Sequence, residues 1–150
     1  MRVTTDAASR RDCAPTAGYG GVLVAETTTE RAVCAELDAS WFSADGQGES
    51  GPLASPEELG TRLAELLLDE VRKGGVVDAQ TQPLLLTLMA LGPEDVSIVK
   101  LGALTKVSVE RLRLLKTFLG VEFKLERQSD DTVRCVCQGS GYTNFARSVT

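Results

Sequence analysis

The chain has 150 residues, enough for one domain that buries roughly two-thirds of the surface its unfolded form exposes. Its composition, 43% hydrophobic and 25% charged, is that of a globular protein rather than a disordered or fibrous one. A net charge of −5 argues against nucleic-acid binding by the chain as a whole, and the lack of any histidine excludes imidazole chemistry.

No apolar run approaches the ~20 residues of a membrane span, so no membrane partner is expected. The opening stretch "MRVTTDAASRRDCAPTAGYGG" lacks the apolar core of a secretory signal. There are four cysteines and no CxxC spacing. With no histidine to join them, they read as small buried hydrophobes of a reducing compartment, and neither a metal nor a cofactor is expected. Charge is unevenly spread: residues 96–150 carry nine Lys/Arg against five Asp/Glu, while residues 1–95 carry seven against sixteen. The C-terminal third is therefore a modest anion-facing surface in an acidic chain.

In chain order, residues 1–17 read as a loose lead-in. "GGVLVAET" (20–27) and "AVCAELDA" (32–39) are β-branched and apolar, separated by a polar connection, and predict a strand pair. The Gly/Ser-rich stretch 43–55 predicts an exposed, mobile loop. Ser55, Pro56 and Glu58 spell a capping box, so a first helix starts there. Its spacing puts Leu59, Leu63, Ala64, Leu66, Leu67 and Val71 on one side, and Gly74 and Gly75 are expected to end it through positive φ. Glu70 falls inside the apolar sector, either as a functional carboxylate or as a last-turn side chain that bends out to solvent.

Next comes "VRKGGVVDAQTQPLLLTLMALG" (71–92). From Leu84 to Leu91 only Thr87 is polar, so this short helix must be covered on several sides. Pro83 requires the helix to begin within a turn of it or to bend there. "VSIVKL" (96–101) predicts a strand. A third helix follows from Lys106 to Leu119, capped by Thr105, with Leu112, Leu115 and Leu119 buried. Lys106, Glu110, Arg113 and Thr117 form its opposite stripe. "VEFKLER" (121–127) alternates as a strand, "QSDD" turns, and "TVRCVC" (132–137) returns with Val133, Cys135 and Cys137 on one face. One wet side to this hairpin means helices on one face only, which gives an α/β two-layer sandwich of the α+β kind.

"GYGGVLVAETTTERAVCAEL", "PEELGTRLAELLLDEVRKGGVVDAQTQPLLLTLMALGPEDVSIVKLG" and "ERLRLLKTFLGVEFKLE" together resemble the C-terminal part of the RNA 3′-terminal phosphate cyclase superfamily, most nearly its eukaryotic cyclase-like branch. The similarity runs in order over residues 18–150 and includes the tail "GYTNFARSVT". It implies βαβαββ units with helices on one face of a mixed sheet, the units meeting through their helices. Residues 18–150 would then be the C-terminal portion of a cyclase-like domain, as a fragment or truncated product of a longer protein. Asp78, Gln80 and Gln82 would be turn and cap residues. Pro83 stands where that branch leads one to expect a small residue.

Cyclases use a histidine that becomes adenylated, and the resemblance places Val107, give or take one position, at its site. A hydrocarbon side chain cannot form a phosphoramidate, so no catalytic residue is expected in this chain. "GYGG" and "GQGESG" lack the strand–loop–helix context of a phosphate loop. Glu57/Glu58 and Asp130/Asp131 sit where acids serve a helix start and a turn. The resemblance implies a non-catalytic scaffold of small-subunit ribosome assembly and pre-rRNA processing, located in the nucleus and nucleolus. An assembly GTPase, small nucleolar ribonucleoprotein components and pre-rRNA would be its partners. The alternative is the C-terminal part of an RNA-processing enzyme, a 3′-phosphate cyclase or endonuclease, whose catalytic residues lie in N-terminal units. The residues expected to meet a partner are Lys100, Lys106, Arg113 and Lys116, set against a plain solvated face with a Lys106–Glu110 pair.

Overall fold

The computed structural model describes residues 2–4, 18–39 and 55–143. Most of the expected lead-in (5–17), of the expected loop (43–54) and of the tail (144–150) lies outside the described residues. Strands β1 (Gly20–Glu26) and β2 (Ala32–Asp38) pair antiparallel from Gly20↔Asp38 to Glu26↔Ala32. Gly21 stands where an added Cβ would lie 2.7 Å from Leu63, so the missing side chain lets the next helix sit close on the pair.

That helix, α1 (Pro56–Lys73), begins as expected. The Ser55 side chain accepts from the Glu58 N–H, and the Glu58 carboxylate accepts from the Ser55 N–H. Leu59 and Leu63 are buried against Ala35, with Leu37, Leu66 and Leu67 around them, in a small first core. Val71 and Ala64, expected on the buried side, are exposed, because the two-stranded sheet is too narrow to cover that flank. Gly74 closes α1 at φ 70, but Gly75 does not have positive φ. Its role is close approach: a Cβ there would lie 2.6 Å from the Gly102 nitrogen.

Helix α2 (Gln82–Leu91) carries Pro83 in its first turn, where the missing N–H costs no helical bond. Strand β3 (Val96–Leu101) and helix α3 (Lys106–Leu119) have the expected bounds, and Thr105 caps α3 by accepting from the Ser108 N–H. Strands β4 (Lys124–Arg127) and β5 (Val133–Gln138) complete a second sheet in the order β3-β5-β4. Strand β4 is shorter than the alternation of 121–127 suggests. Val121, directly after the left-handed Gly120 cap, is drawn into the core, and pairing starts only at Lys124↔Val136.

The main core lies between this sheet and its helices: Leu86, Met89 and Ala90 of α2, Leu115 of α3, Leu101 of β3, and Cys135 and Cys137 of β5. Both sheets are antiparallel throughout rather than mixed. From β2 onward the element order contains β-α-β-α-β-β, with α2 as an added helix between α1 and β3. The architecture is an α+β sandwich with helices on one face of the three-stranded sheet.

Candidate partner-binding face

The segment between α1 and α2 is held by buried polar side chains. Glu70 neither bends out to solvent nor stands as a free carboxylate. It pairs with Lys73 and accepts from the Ala79 N–H at 2.8 Å. Asp78 is buried and accepts from the Thr81 N–H, the Thr81 hydroxyl and the Cys34 thiol. Burial pushes the Asp78 carboxyl up, but the Thr81 and Cys34 hydrogen bonds outweigh it and hold the group below its ordinary range.

Gln82, expected as a turn or cap residue, is instead a buried bridge. Its amide nitrogen donates to the Ala103 carbonyl, and its amide oxygen accepts from the Thr105 N–H and the Ser108 hydroxyl. The start of α2 is thereby tied to the start of α3. Gln80 is exposed.

So positioned, α2 turns Leu86, Met89 and Ala90 inward and leaves Leu84 (59% exposed), Leu88 (57%) and Leu91 facing away from the sheet. These three stand at i, i+4 and i+7, one row of a helix face. Helix α3 packs beside α2 and shows a second row: Val107 (58%), Leu114 (49%) and Phe118 (79%). The expectation that α2 is covered on several sides holds for its inner side only. The α3 row escaped the sequence reading, although apolar residues spaced seven and four apart were the signal for it.

The basic residues are not gathered into one patch. Lys100 is on the opposite side of the sandwich from α3: β3 turns Val99 and Leu101 inward, so Lys100 projects from the open sheet face, where it pairs with Asp130 at 2.6 Å. Lys116 pairs with Glu122 at 2.8 Å, and that hydrogen bond and charge raise its pKa. Arg113 and Lys116 border one groove beside β4, and Lys106 lies on the exposed stripe at the start of α3. Lys106 and Glu110 form no ion pair, and neither Lys106 nor Arg113 has an ion-pair partner among the described residues.

Val107 is in the first turn of α3, a hydrocarbon in the outward row. Burial raises the Cys34, Cys135 and Cys137 thiols, Cys135 to about 11, so they stay protonated and unreactive. Among the described residues no three potential ligands cluster for a metal, and no helix is long and apolar enough to cross a membrane. What this face can do chemically is bury apolar surface against a partner, with cations at its margin.

No family model matches the chain. It is 43% identical over 136 residues to the probable RNA 3′-terminal phosphate cyclase-like protein of Dictyostelium discoideum, covering 87% of the chain and 37% of that relative. To the human RNA 3′-terminal phosphate cyclase-like protein it is 40% identical over 139 residues, 88% of the chain and 36% of the relative. The rRNA processing protein rcl1 of Schizosaccharomyces pombe is 34% identical over 149 residues, 98% of the chain and 38% of the relative. The chain thus spans a little over a third of the length of these relatives, and over that span it is a homologue of the RNA 3′-terminal phosphate cyclase-like proteins.

Proposed function

We propose that this chain is part of a non-catalytic scaffold acting in pre-rRNA processing and small ribosomal subunit assembly, in the nucleus and nucleolus. Val107 carries the reading. At the place where the resemblance puts a cyclase's nucleophilic histidine, this chain has an exposed valine, and it has no histidine elsewhere. Adenylate transfer needs a nitrogen lone pair available near neutral pH, which valine lacks. Here the position serves the outward apolar row with Leu114 and Phe118 instead. That row and its counterpart on α2 fit a further unit of a longer protein. The assembly GTPase, small nucleolar ribonucleoprotein components and pre-rRNA are the partners that the resemblance suggests for the whole. The rRNA-processing name of one relative is consistent with this role.

The test is incubation with labelled ATP and magnesium, followed by acid treatment. No acid-labile adenylate is expected on the protein. Stoichiometric labelling would overturn the non-catalytic reading and favour the RNA-processing enzyme. A fluorescent fusion expressed in eukaryotic cells should concentrate in nucleoli, and exclusion from the nucleus would overturn the assembly role.

A further inference from the structure

We propose that the free edge of β4 is a docking site for an extended, acidic segment of a partner protein, which adds to the sheet as a further strand. This goes beyond the scaffold reading and does not depend on it. It rests on a sheet edge, a groove and an unmatched charge.

In the order β3-β5-β4, strand β4 has a neighbour on one side only among the described residues. The Gln128 N–H donates to the Thr132 carbonyl at 2.8 Å, which makes 128/132 a hydrogen-bonded pair. Antiparallel ladders alternate, so Glu126 and Lys124 are turned to β5 through their backbone groups, while those of Leu125 and Arg127 point to the free edge. Such an edge is a template for another strand.

Beside this edge lies a groove of about 300 Å³ lined by Val109, Leu112, Val121, Phe123 and Leu125. Leu125 shares the core-facing side with Cys135, its partner in register, yet is 45% exposed. A core-facing leucine left open at a sheet edge marks the place of a missing neighbour. Every second side chain of an added strand would enter the groove.

The groove's rim sets the sign of the partner. The carboxylate that lines it, Glu122, is engaged by Lys116, and those of β4 and its turn, Glu126 and Asp131, are engaged by Lys124, Arg134 and Arg127. Arg113, on the rim, has no ion-pair partner among the described residues and presents five donors in a fixed fork that matches a carboxylate. Strand β4 carries Lys124 and Arg127 against Glu126, a net positive edge, which an acidic strand complements and a second copy of β4 does not.

The probe is a fluorescein-labelled synthetic peptide alternating valine or leucine with aspartate or glutamate, titrated into the full 150-residue chain. We expect saturable binding, slowed hydrogen exchange at the Leu125 and Arg127 amides, and at least tenfold weaker binding for the same peptide N-methylated at alternate residues. Arg113→Glu, at an exposed helix position, should weaken binding at least tenfold with melting unchanged, and a peptide with lysine in place of its acids should not bind. No binding, binding indifferent to N-methylation, or protection confined to the α2 and α3 rows would overturn the proposal. So would concentration-dependent protection of Leu125 and Arg127 without peptide, which would assign the edge to a second copy.

Discussion

Replacing Gln82 by leucine tests whether the polar bridge holds α2 and α3 in place. The side chain is 1% exposed, and its amide makes bonds of 3.3 Å to the Ala103 carbonyl, 3.3 Å to the Thr105 N–H and 2.9 Å to the Ser108 hydroxyl. Leucine conserves most of the volume, so the cavity contribution is small and the loss is polar. Ser108 keeps a second partner in the Thr105 hydroxyl at 2.8 Å. The Ala103 carbonyl and Thr105 N–H have no other partner among the described residues. A fully buried group left unpaired costs about 1–3 kcal/mol, but Ala103 is exposed and Thr105 half-buried, so water reaches these two groups. The long bonds and the partial exposure favour the low end of that range, so we expect a loss of about 1–2 kcal/mol in all. That is a sizeable fraction of a domain's usual ~5–15 kcal/mol. For a chain of this size it lowers the melting temperature by roughly 2–8 °C. Urea unfolding followed by circular dichroism measures it, with Ser108→Ala and the double variant completing a cycle. The singles should be non-additive, because they share one bond. A loss below about 0.5 kcal/mol for Gln82→Leu would refute the bridge as a stabilising element.

Further tests separate glycine roles, pH dependence and the apolar rows. Gly60→Ala, within α1 and with nothing near its Cβ, should stabilise by about 0.5–1 kcal/mol, while Gly75→Ala, driven into the Gly102 backbone, should destabilise by about 1–3 kcal/mol in the same melts. The Asp78 carboxyl is depressed in the fold, so its contribution is complete above the unfolded carboxyl range near pH 4 and is lost as pH falls through the lower folded value. Stability measured from pH 6 down to pH 2 should therefore fall at the acid end, and Asp78→Asn should flatten part of that fall while lowering stability at pH 7. Leu88→Gln with Phe118→Lys should reduce binding of an apolar-surface dye, with stability changed by less than about 0.5 kcal/mol per site.

What could be read from the sequence was what local chemistry decides. The Ser55–Glu58 box, the Thr105 cap and the alternating apolar positions placed α1, α3, β1, β2, β3 and β5 nearly to the residue, since caps and periodicity act over a turn or two. The readings that changed depend on distant neighbours. Gly75 looked like a second helix stop, but Gly102, brought beside it through β3, explains its lack of a side chain. Gln82 looked like a turn residue because its partners stand more than twenty positions away. Glu70 stood out as misplaced, and its partner proved to be the Ala79 N–H of the next turn. Of the four cations expected together, β3's side-chain alternation sends Lys100 to the other side of the sheet, which no count of charges reveals.

The apolar rows also bear on what kind of neighbour fits them. In a self-contained sandwich the helix faces turned away from the sheet are polar, as α1's Arg62, Glu65, Asp69 and Arg72 are, with the single leucine Leu68 exposed among them. Helices α2 and α3 break that rule with Leu84, Leu88, Leu91, Val107, Leu114 and Phe118, each between about 40% and 80% exposed. Fully burying such a side chain yields about 1.5–3 kcal/mol, so covering what remains exposed yields about 1 kcal/mol apiece, or roughly 6 kcal/mol for the two rows. A free partner must first offset some 4–15 kcal/mol of lost translational and rotational freedom, so this side of the contact by itself leaves it little net affinity. A neighbour in the same polypeptide meets the rows at an effective concentration near the millimolar range, roughly a thousandfold above a partner free at micromolar concentration, an advantage of about 4 kcal/mol. The size of the rows therefore favours a tethered unit over a second copy or a separate protein. The separate partner is better sought at the β4 edge, where backbone hydrogen bonds and the charge of Arg113 add to apolar burial.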